Sequence, residues 1–307
     1  MTSEDTPLAP GLYLVATPIG NLGDITLRAL DILRRADLIA CEDTRQTQKL
    51  LNHFEISTPA TSCHEHNERQ RAVEFVEAIQ NGKKIAVVSD AGMPGISDPG
   101  TVLAAAAIAA GLPVIPIPGA NAALSALIAS GLPTGEFAFL GFLPEKAGAR
   151  RSRLEDLAAQ PRTRAQTLIF YEAPHRIADT LADFEAVYGP AQHIVLAREL
   201  TKLHEEFLRG PVAGLRKDLA DRDRIRGEFV LLFEVGAPGL SHLETGEHLQ
   251  TGDGPQRARE SISTRVARLQ SEAGLDEKEA LKRLARELGQ SKSELYRELQ
   301  RERARRK

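Results

Sequence analysis

The chain has 307 residues, enough for two domains of ordinary size. Its 42% apolar and 26% charged residues are those of a soluble globular protein with a substantial core. A formal net charge of -3 excludes a global attraction to nucleic acid or acidic membrane, so any such affinity has to be local. Met1 to Pro10 is polar and acidic with no apolar core of a secretory signal, and is expected to be a flexible tail.

From residue 11 to 133, short Val/Ile/Leu runs alternate with amphipathic segments. Strands are expected at 12–17, 37–41, 84–89 and 113–117, with a weaker one at 58–63. Helices are expected at 25–35, 44–53, 68–80, 99–110 and 120–130. Asp24 and Asn67 stand where N-caps belong, and Asn81-Gly82 closes its helix as a C-cap pair. Such alternation predicts a largely parallel sheet covered by helices. Cys41 and Cys63, the only cysteines, make no disulfide framework and fit a reduced, cytoplasmic setting. The longest apolar stretch, Val102 to Leu112, is too short to span a membrane.

Gly131 to Gly135 marks a boundary, and residues 134–236 read as a second α/β domain. Strands are expected at 137–143, 167–171, 194–197 and 229–235, with a basic helix at 147–159 and a helix at 175–188 ending at Gly189-Pro190. Residues 237–258, rich in Gly, Pro, Thr, His and Glu, read as a linker. Residues 259–307 are polar and helical, and Ala285, Gly289 and Leu295 give them a helix-turn-helix rhythm in which Ser291 or Ser293 caps the second helix. Residues 281–307 hold ten Lys/Arg against four Glu, a local balance of +6 suited to RNA or ribosome contact.

Three Gly/Pro-rich loops each follow an apolar run: Thr17-Pro18-Ile19-Gly20, Ser89-Asp90-Ala91-Gly92-Met93-Pro94-Gly95 with Ser97-Asp98-Pro99-Gly100, and Pro118-Gly119-Ala120-Asn121. Glycines at strand ends let backbone approach a ligand, so the three loops predict one pocket. None carries a lysine or a P-loop, and the spacing is not that of a dinucleotide site. Asp90 and Asp98 would repel a polyphosphate. The pocket suits an uncharged or cationic nucleoside-like ligand. Cys63-His64-Glu65-His66 is a poor metal site, because no second ligand cluster accompanies it.

Together with Glu42-Asp43-Thr44-Arg45, His64-Glu65-x-Asn67, Gly141-Phe142-Leu143-Pro144, Phe170-Tyr171-Glu172-x-x-His175-Arg176, Ala197-Arg198-Glu199-Leu200-Thr201-Lys202 and Gly227-Glu228, these loops resemble the ribosomal RNA small subunit methyltransferase I family over residues 11–235. Met93 departs from the threonine usual in that family and supplies no hydroxyl. The resemblance implies the tetrapyrrole-methylase fold, with two α/β domains and the cofactor in the cleft between them. It implies transfer of a methyl group from S-adenosylmethionine to a cytidine ribose 2'-hydroxyl in the decoding region of 16S rRNA, by a homodimer and without a metal. Cofactor binding then falls to Pro18, Asp90, Ala91, Gly92, Pro118, Gly119, Ala120, Tyr171 and Ala197. Arg45, His64, Asn67, Arg176 and Glu199 would meet the substrate. Glu172 or Asp43 would take the proton, and Lys202 would steady the oxygen. Lys146, Arg150, Arg151 and Arg153 form a basic segment that could track phosphate. Two other readings are a precorrin-type carbon methyltransferase on the same fold and a non-catalytic ribosome-binding factor.

Overall fold

A computed structural model describes residues 7–64, 66–236, 276–279 and 281–282. The chain divides into two compact units, Met1–Glu244 and Thr245–Lys307. In the first unit, β1 (Gly11–Val15), β2 (Leu38–Cys41), β3 (Ala60–Ser62), β4 (Lys84–Val88) and β5 (Val114–Ile117) form a wholly parallel sheet in the order β3-β2-β4-β1-β5. Both its faces are covered, which is why its central strands are apolar on both sides: Tyr13 and Val15 belong to one core and Leu12 to another. Because every strand runs the same way, the loops after β1, β4 and β5 leave one edge of three adjacent strands.

The connecting helices are α1 (Leu27–Arg35), α2 (Thr44–His53), α3 (Glu68–Gln80), α4 (Thr101–Ala109) and α5 (Ala122–Ser130). Thr26, not Asp24, caps α1, its hydroxyl accepting from the Ala29 N–H at 3.0 Å; Asp24 ends a 3-10 turn begun at Leu22. Asn67 stands at the N-cap of α3 but makes no cap bond. Its Oδ1 accepts from the His64 N–H at 2.8 Å, bracing the loop before the helix. Asn81 and the positive-φ Gly82 close α3 as expected.

The start of α4 has no cap of its own, since Gly100 lacks a side chain. The carboxylate of Glu68, buried on α3, accepts the N–H groups of Gly100 (2.8 Å), Val102 (3.2 Å) and Leu103 (3.3 Å). Bonds to a charged acceptor are worth more than neutral ones, and all three donors would be orphaned together. Glu68→Ala is therefore expected to cost about 2–4 kcal/mol in chemical denaturation. A loss below about 0.5 kcal/mol would contradict this reading of the cap.

A second sheet contains β6 (Phe137–Phe142), β7 (Gln166–Glu172), β8 (His193–Arg198), β9 (Glu206–Pro211) and β10 (Phe229–Val235), ordered β6-β7-β10-β8-β9. Only the β6–β7 pair is parallel. Helices α6 (Ala147–Ala159), α7 (Ile177–Tyr188) and α8 (Val212–Ala220) accompany it. Strand β9 and helix α8 are absent from the sequence-based reading. In β9, Gly210-Pro211 imitates a turn, and α8 is nine residues long with Gly214 inside it. Arg150, assigned above to a phosphate-tracking face, is buried instead: its guanidinium pairs with Asp183 at 2.8 Å, and Arg151 joins the same carboxylate.

Helix α5 joins the two sheets. Ala123, Ala126 and Leu127 pack with Ile169, Val195, Ala197, Val230 and Leu232 of the second sheet in one core. Arg209 of β9 donates to the Ser130 and Ala129 carbonyls, satisfying the C-terminal end of α5. Cavity walls from both sheets are thus held in one apolar contact. Among the described residues, no helix is long and apolar enough to cross a membrane. In the second unit, Glu277–Glu279 and Leu281–Lys282 are helical, and Asp276 accepts the Glu279 N–H at 2.7 Å. Ala285, Gly289, Ser291, Ser293 and Leu295, and the linker at 237–258, lie outside the described residues.

Candidate active site

A cavity of about 420 Å³ opens between the β1, β4 and β5 loops and the ends of β6, β7 and β10. That volume suits a nucleoside-sized ligand. The loops are tied together at its floor. Thr17 and Gly92 exchange backbone hydrogen bonds of 2.8 and 3.1 Å, with Gly92 at φ 82°. A Cβ on Gly119 would stand 2.8 Å from the Cβ of Ala16, so the β5 loop lies flush against the end of β1.

Of the residues assigned to the cofactor, Ala91, Gly92, Tyr171 and Ala197 line this cavity. Pro18, Asp90, Pro118, Gly119 and Ala120 lie in the supporting loops, whose neighbours Ile19, Asn121 and Ala122 form the wall. Asp90 accepts the Asp43 N–H at 3.2 Å and so couples the β4 loop to the start of α2.

The residues assigned to catalysis are each engaged with neighbours. Glu172 is buried, and both its oxygens are occupied: Oε1 accepts the Ala173 N–H at 2.8 Å, and Oε2 the Thr180 hydroxyl at 2.7 Å. Arg176 Nε lies 3.1 Å from Oε1 as an ion pair, not as an aligned hydrogen bond. The Arg176 guanidinium also donates to the Leu143 carbonyl at 2.6 Å. This pair fastens the turn into α7 to the end of β6. Asp43 is engaged as well, since the Arg45 side chain and N–H hold its carboxyl down at about 2. Arg45 itself folds back on Asp43, and Arg45, His64, Asn67, Arg176 and Glu199 do not line the cavity.

Lys202 spans the cavity's flank. Its stem crosses Gly20, where a Cβ would meet Lys202 Cγ at 2.5 Å. Its ammonium holds Glu199 at 2.8 Å and Glu228 at 3.0 Å. Burial weakens the charge of Lys202, but the two carboxylates more than offset this and raise its pKa. Glu199 and Thr201 have φ of 52° and 66°, uncommon for residues with a side chain and a sign of a tightly determined loop.

Phe142 and His175, not assigned a site role from the sequence, also line the cavity, as does Asp98, read there only as a carboxylate that opposes a polyphosphate. All three stand inside the motifs quoted above, so their motif membership was the available signal. A register shift in β6, with Gly141 at φ 66°, turns Phe142 outward, half-exposed and 5.7 Å from the Tyr171 ring.

Residues 11–216 match the tetrapyrrole (corrin/porphyrin) methylases. A ribosomal RNA small subunit methyltransferase I from Halalkalibacterium halodurans is 55% identical over 73% of this chain and 75% of its own. The chain belongs to this family. A relative of the same name from Synechocystis is 44% identical over 93% of this chain and 95% of its own. The methyltransferase CobJ shares the fold, with a TM-score of 0.54 at 20% identity over 73% of this chain and 93% of that one. Family membership accounts for the two α/β layers that line this cavity.

Proposed function

We propose that the protein transfers a methyl group from S-adenosylmethionine to the ribose 2'-hydroxyl of a cytidine in the decoding region of 16S rRNA. One observation carries the choice of cofactor. Among the described residues, no lysine or arginine lines the cavity, whereas Asp98, Glu172 and Glu228 do. Such walls fit a cationic sulfonium and oppose a polyphosphate. The flush packing at Gly92 and Gly119 leaves backbone as the surface presented to the adenosine part.

Bound there, S-adenosylmethionine supplies an electrophilic methyl carbon on a sulfur that departs with the bonding electrons. The chain's own work is placement. Main-chain groups of Ala91 and Gly92 face Tyr171 and Ala197 across the cavity, which fixes a ligand between layers that α5 holds together. Holding both reactants in line can supply up to about 7–11 kcal/mol of the barrier reduction. Lys202 keeps Glu199 and Glu228 paired beside the acceptor's entry, and release of Arg45 from Asp43 would offer an exposed guanidinium to RNA phosphate.

Division of the first unit into functional domains at 11–133 and 134–236, contact with the small subunit by residues 259–307, action in the cytoplasm and assembly as a homodimer are parts of the same proposal. The +6 balance of residues 281–307 supports the subunit contact. Neither precorrin-type carbon methylation nor a non-catalytic ribosome-binding role is favoured, because the relatives at 44–55% identity are named as ribosomal RNA methyltransferases.

Phe142 is a half-exposed ring at the cavity mouth, suited to stack an unpaired base. Phe142→Ala is expected to lower kcat/KM for small subunits by about 10–100-fold, the cost of one lost stacking contact, with S-adenosylmethionine affinity unchanged. The function itself is tested by incubating the protein with labelled S-adenosylmethionine and small subunits, then digesting the RNA. Label in 2'-O-methylcytidine supports the proposal; label on a base carbon, or none in RNA, refutes it.

A further inference from the structure

The two faces of the first sheet are covered by helices that differ in charge. On one face α1 and Leu51 of α2 pack over Tyr13, Val15, Ile39 and Val88; on the other, α3 and α4 pack over Leu12, Ala40, Ile85 and Val87. Helix α3 sets Arg69 and Arg71 against Glu68, Glu74 and Glu77, and α4 holds no charged residue. Helix α1 instead carries Arg28, Arg34 and Arg35 against Asp31 alone, and α2 carries Arg45 and Lys49 and no carboxylate. In a chain of net charge -3 this face is a local positive surface.

Three of its cations meet no carboxylate among the described residues. Arg34 donates to a neutral group, the Phe54 carbonyl that follows α2, at 3.1 Å. Lys49 donates to the Gln46 amide oxygen at 2.8 Å. Arg28 is exposed and makes no ion pair among the described residues. The carboxylates nearby are already engaged: Asp31 by Arg35, Asp37 by Lys84 and Asp43 by Arg45. A cation held only by a neutral acceptor keeps its charge for an anion from outside, where the bond it forms is stronger than the one it gives up.

The surface begins at the cavity. In a parallel sheet each connecting helix returns against the strands, so α1 and α2 both start at the strand ends that bear the cavity loops. The start of α2 is tied there directly, through the Asp43 N–H to Asp90 at 3.2 Å. At their far ends the two helices meet, where Arg34 reaches Phe54 and the Thr58 hydroxyl donates to the Leu33 carbonyl at 2.6 Å. Arg28 stands in the first turn of α1, Lys49 midway along α2 and Arg34 in the last turn of α1. The cations thus run back from the cavity edge over the length of a nine-residue helix, about 13 Å.

Building on the methyl transfer to rRNA proposed above, we infer that Arg28, Arg34 and Lys49 bind the phosphate backbone of the RNA that flanks the acceptor nucleotide. A nucleotide seated in the cavity is continuous with its neighbours, whose phosphates must leave past the cavity edge. That continuity favours RNA over an acidic protein as the occupant of this face. Contacts of this type fix the register and orientation of the nucleic acid and leave recognition of the base to the cavity.

The test compares full-length wild type with Arg28→Gln/Arg34→Gln/Lys49→Gln and with a control, Arg69→Gln/Lys83→Gln/Lys217→Gln. The control removes the same charge from exposed positions on α3, in the turn before β4 and on α8. Binding to small subunits and to protein-free 16S rRNA is measured between about 50 and 200 mM salt, beside S-adenosylmethionine affinity, thermal melting and steady-state transfer. The first triple variant should bind both RNAs at least roughly tenfold more weakly, with a log–log salt slope shallower by about two to three. Its KM for subunits should rise, while kcat, cofactor affinity and Tm stay at wild-type values and the control keeps wild-type binding. Each single substitution should lower the slope by about one, which keeps the test decisive if the triple variant melts early. An unchanged slope, or equal losses in the two triple variants, would overturn the inference. Weakened binding to subunits but not to protein-free rRNA would also overturn it, and make the partner a ribosomal protein. All three outcomes leave the methyltransferase reading intact, whereas a wild-type protein that transfers no methyl group to RNA would remove that reading and the inference with it.

Discussion

Gly119→Val should abolish useful cofactor binding without unfolding the protein. A Cβ at 119 would sit 2.8 Å from the Cβ of Ala16 and 3.5 Å from its carbonyl oxygen. Ala16 is buried at the end of β1 and cannot yield, so the β5 loop must move outward. That loop leads directly into Asn121 and Ala122 of the cavity wall. Overpacking of this kind costs about 1–3 kcal/mol, and a displaced wall loses contacts with the ligand as well. Calorimetric affinity for S-adenosylmethionine should fall by roughly 100-fold for valine and about tenfold for alanine, with the circular dichroism spectrum retained. Wild-type affinity in Gly119→Val would mean that the cofactor lies elsewhere.

Arg176→Leu should be the most destabilising single change near the site. Glu172 has a side chain only 1% exposed, and Arg176 is its cation. Removing one partner strands a buried charge, a loss of about 3–5 kcal/mol in denaturant unfolding. Glu172→Gln removes the charge together with its need for a partner, so it should cost less, about 1–3 kcal/mol. A folded Glu172→Gln protein that binds cofactor but transfers at least roughly 100-fold more slowly would give Glu172 the proton-accepting role. An Arg176→Leu protein as stable as wild type would show that the pair carries no structural load.

Much of the fold could be read from the chain because its signals were local. The ranges of α2, α3, α6 and β10 agree with the structure residue for residue, since caps, glycines and apolar periodicity sit at their ends. Strand β9 and helix α8 lacked such marks, and only pairing with β8 and packing on α7 make them regular. The site was legible as a set of loops but not as a set of roles. Nothing in sequence spacing reveals that Arg45 lies on Asp43, that Arg176 occupies Glu172, or that Lys202 crosses Gly20. These are contacts between distant segments or choices of rotamer.

The most direct measurement is a map of 2'-O-methyl groups on the 16S rRNA of cells with and without this protein. The account predicts that one methylated cytidine in the decoding region disappears on deletion and returns when the wild-type chain, but not Gly119→Val, is restored. An unchanged map, or recovery of that methyl by Gly119→Val at wild-type level, would contradict it.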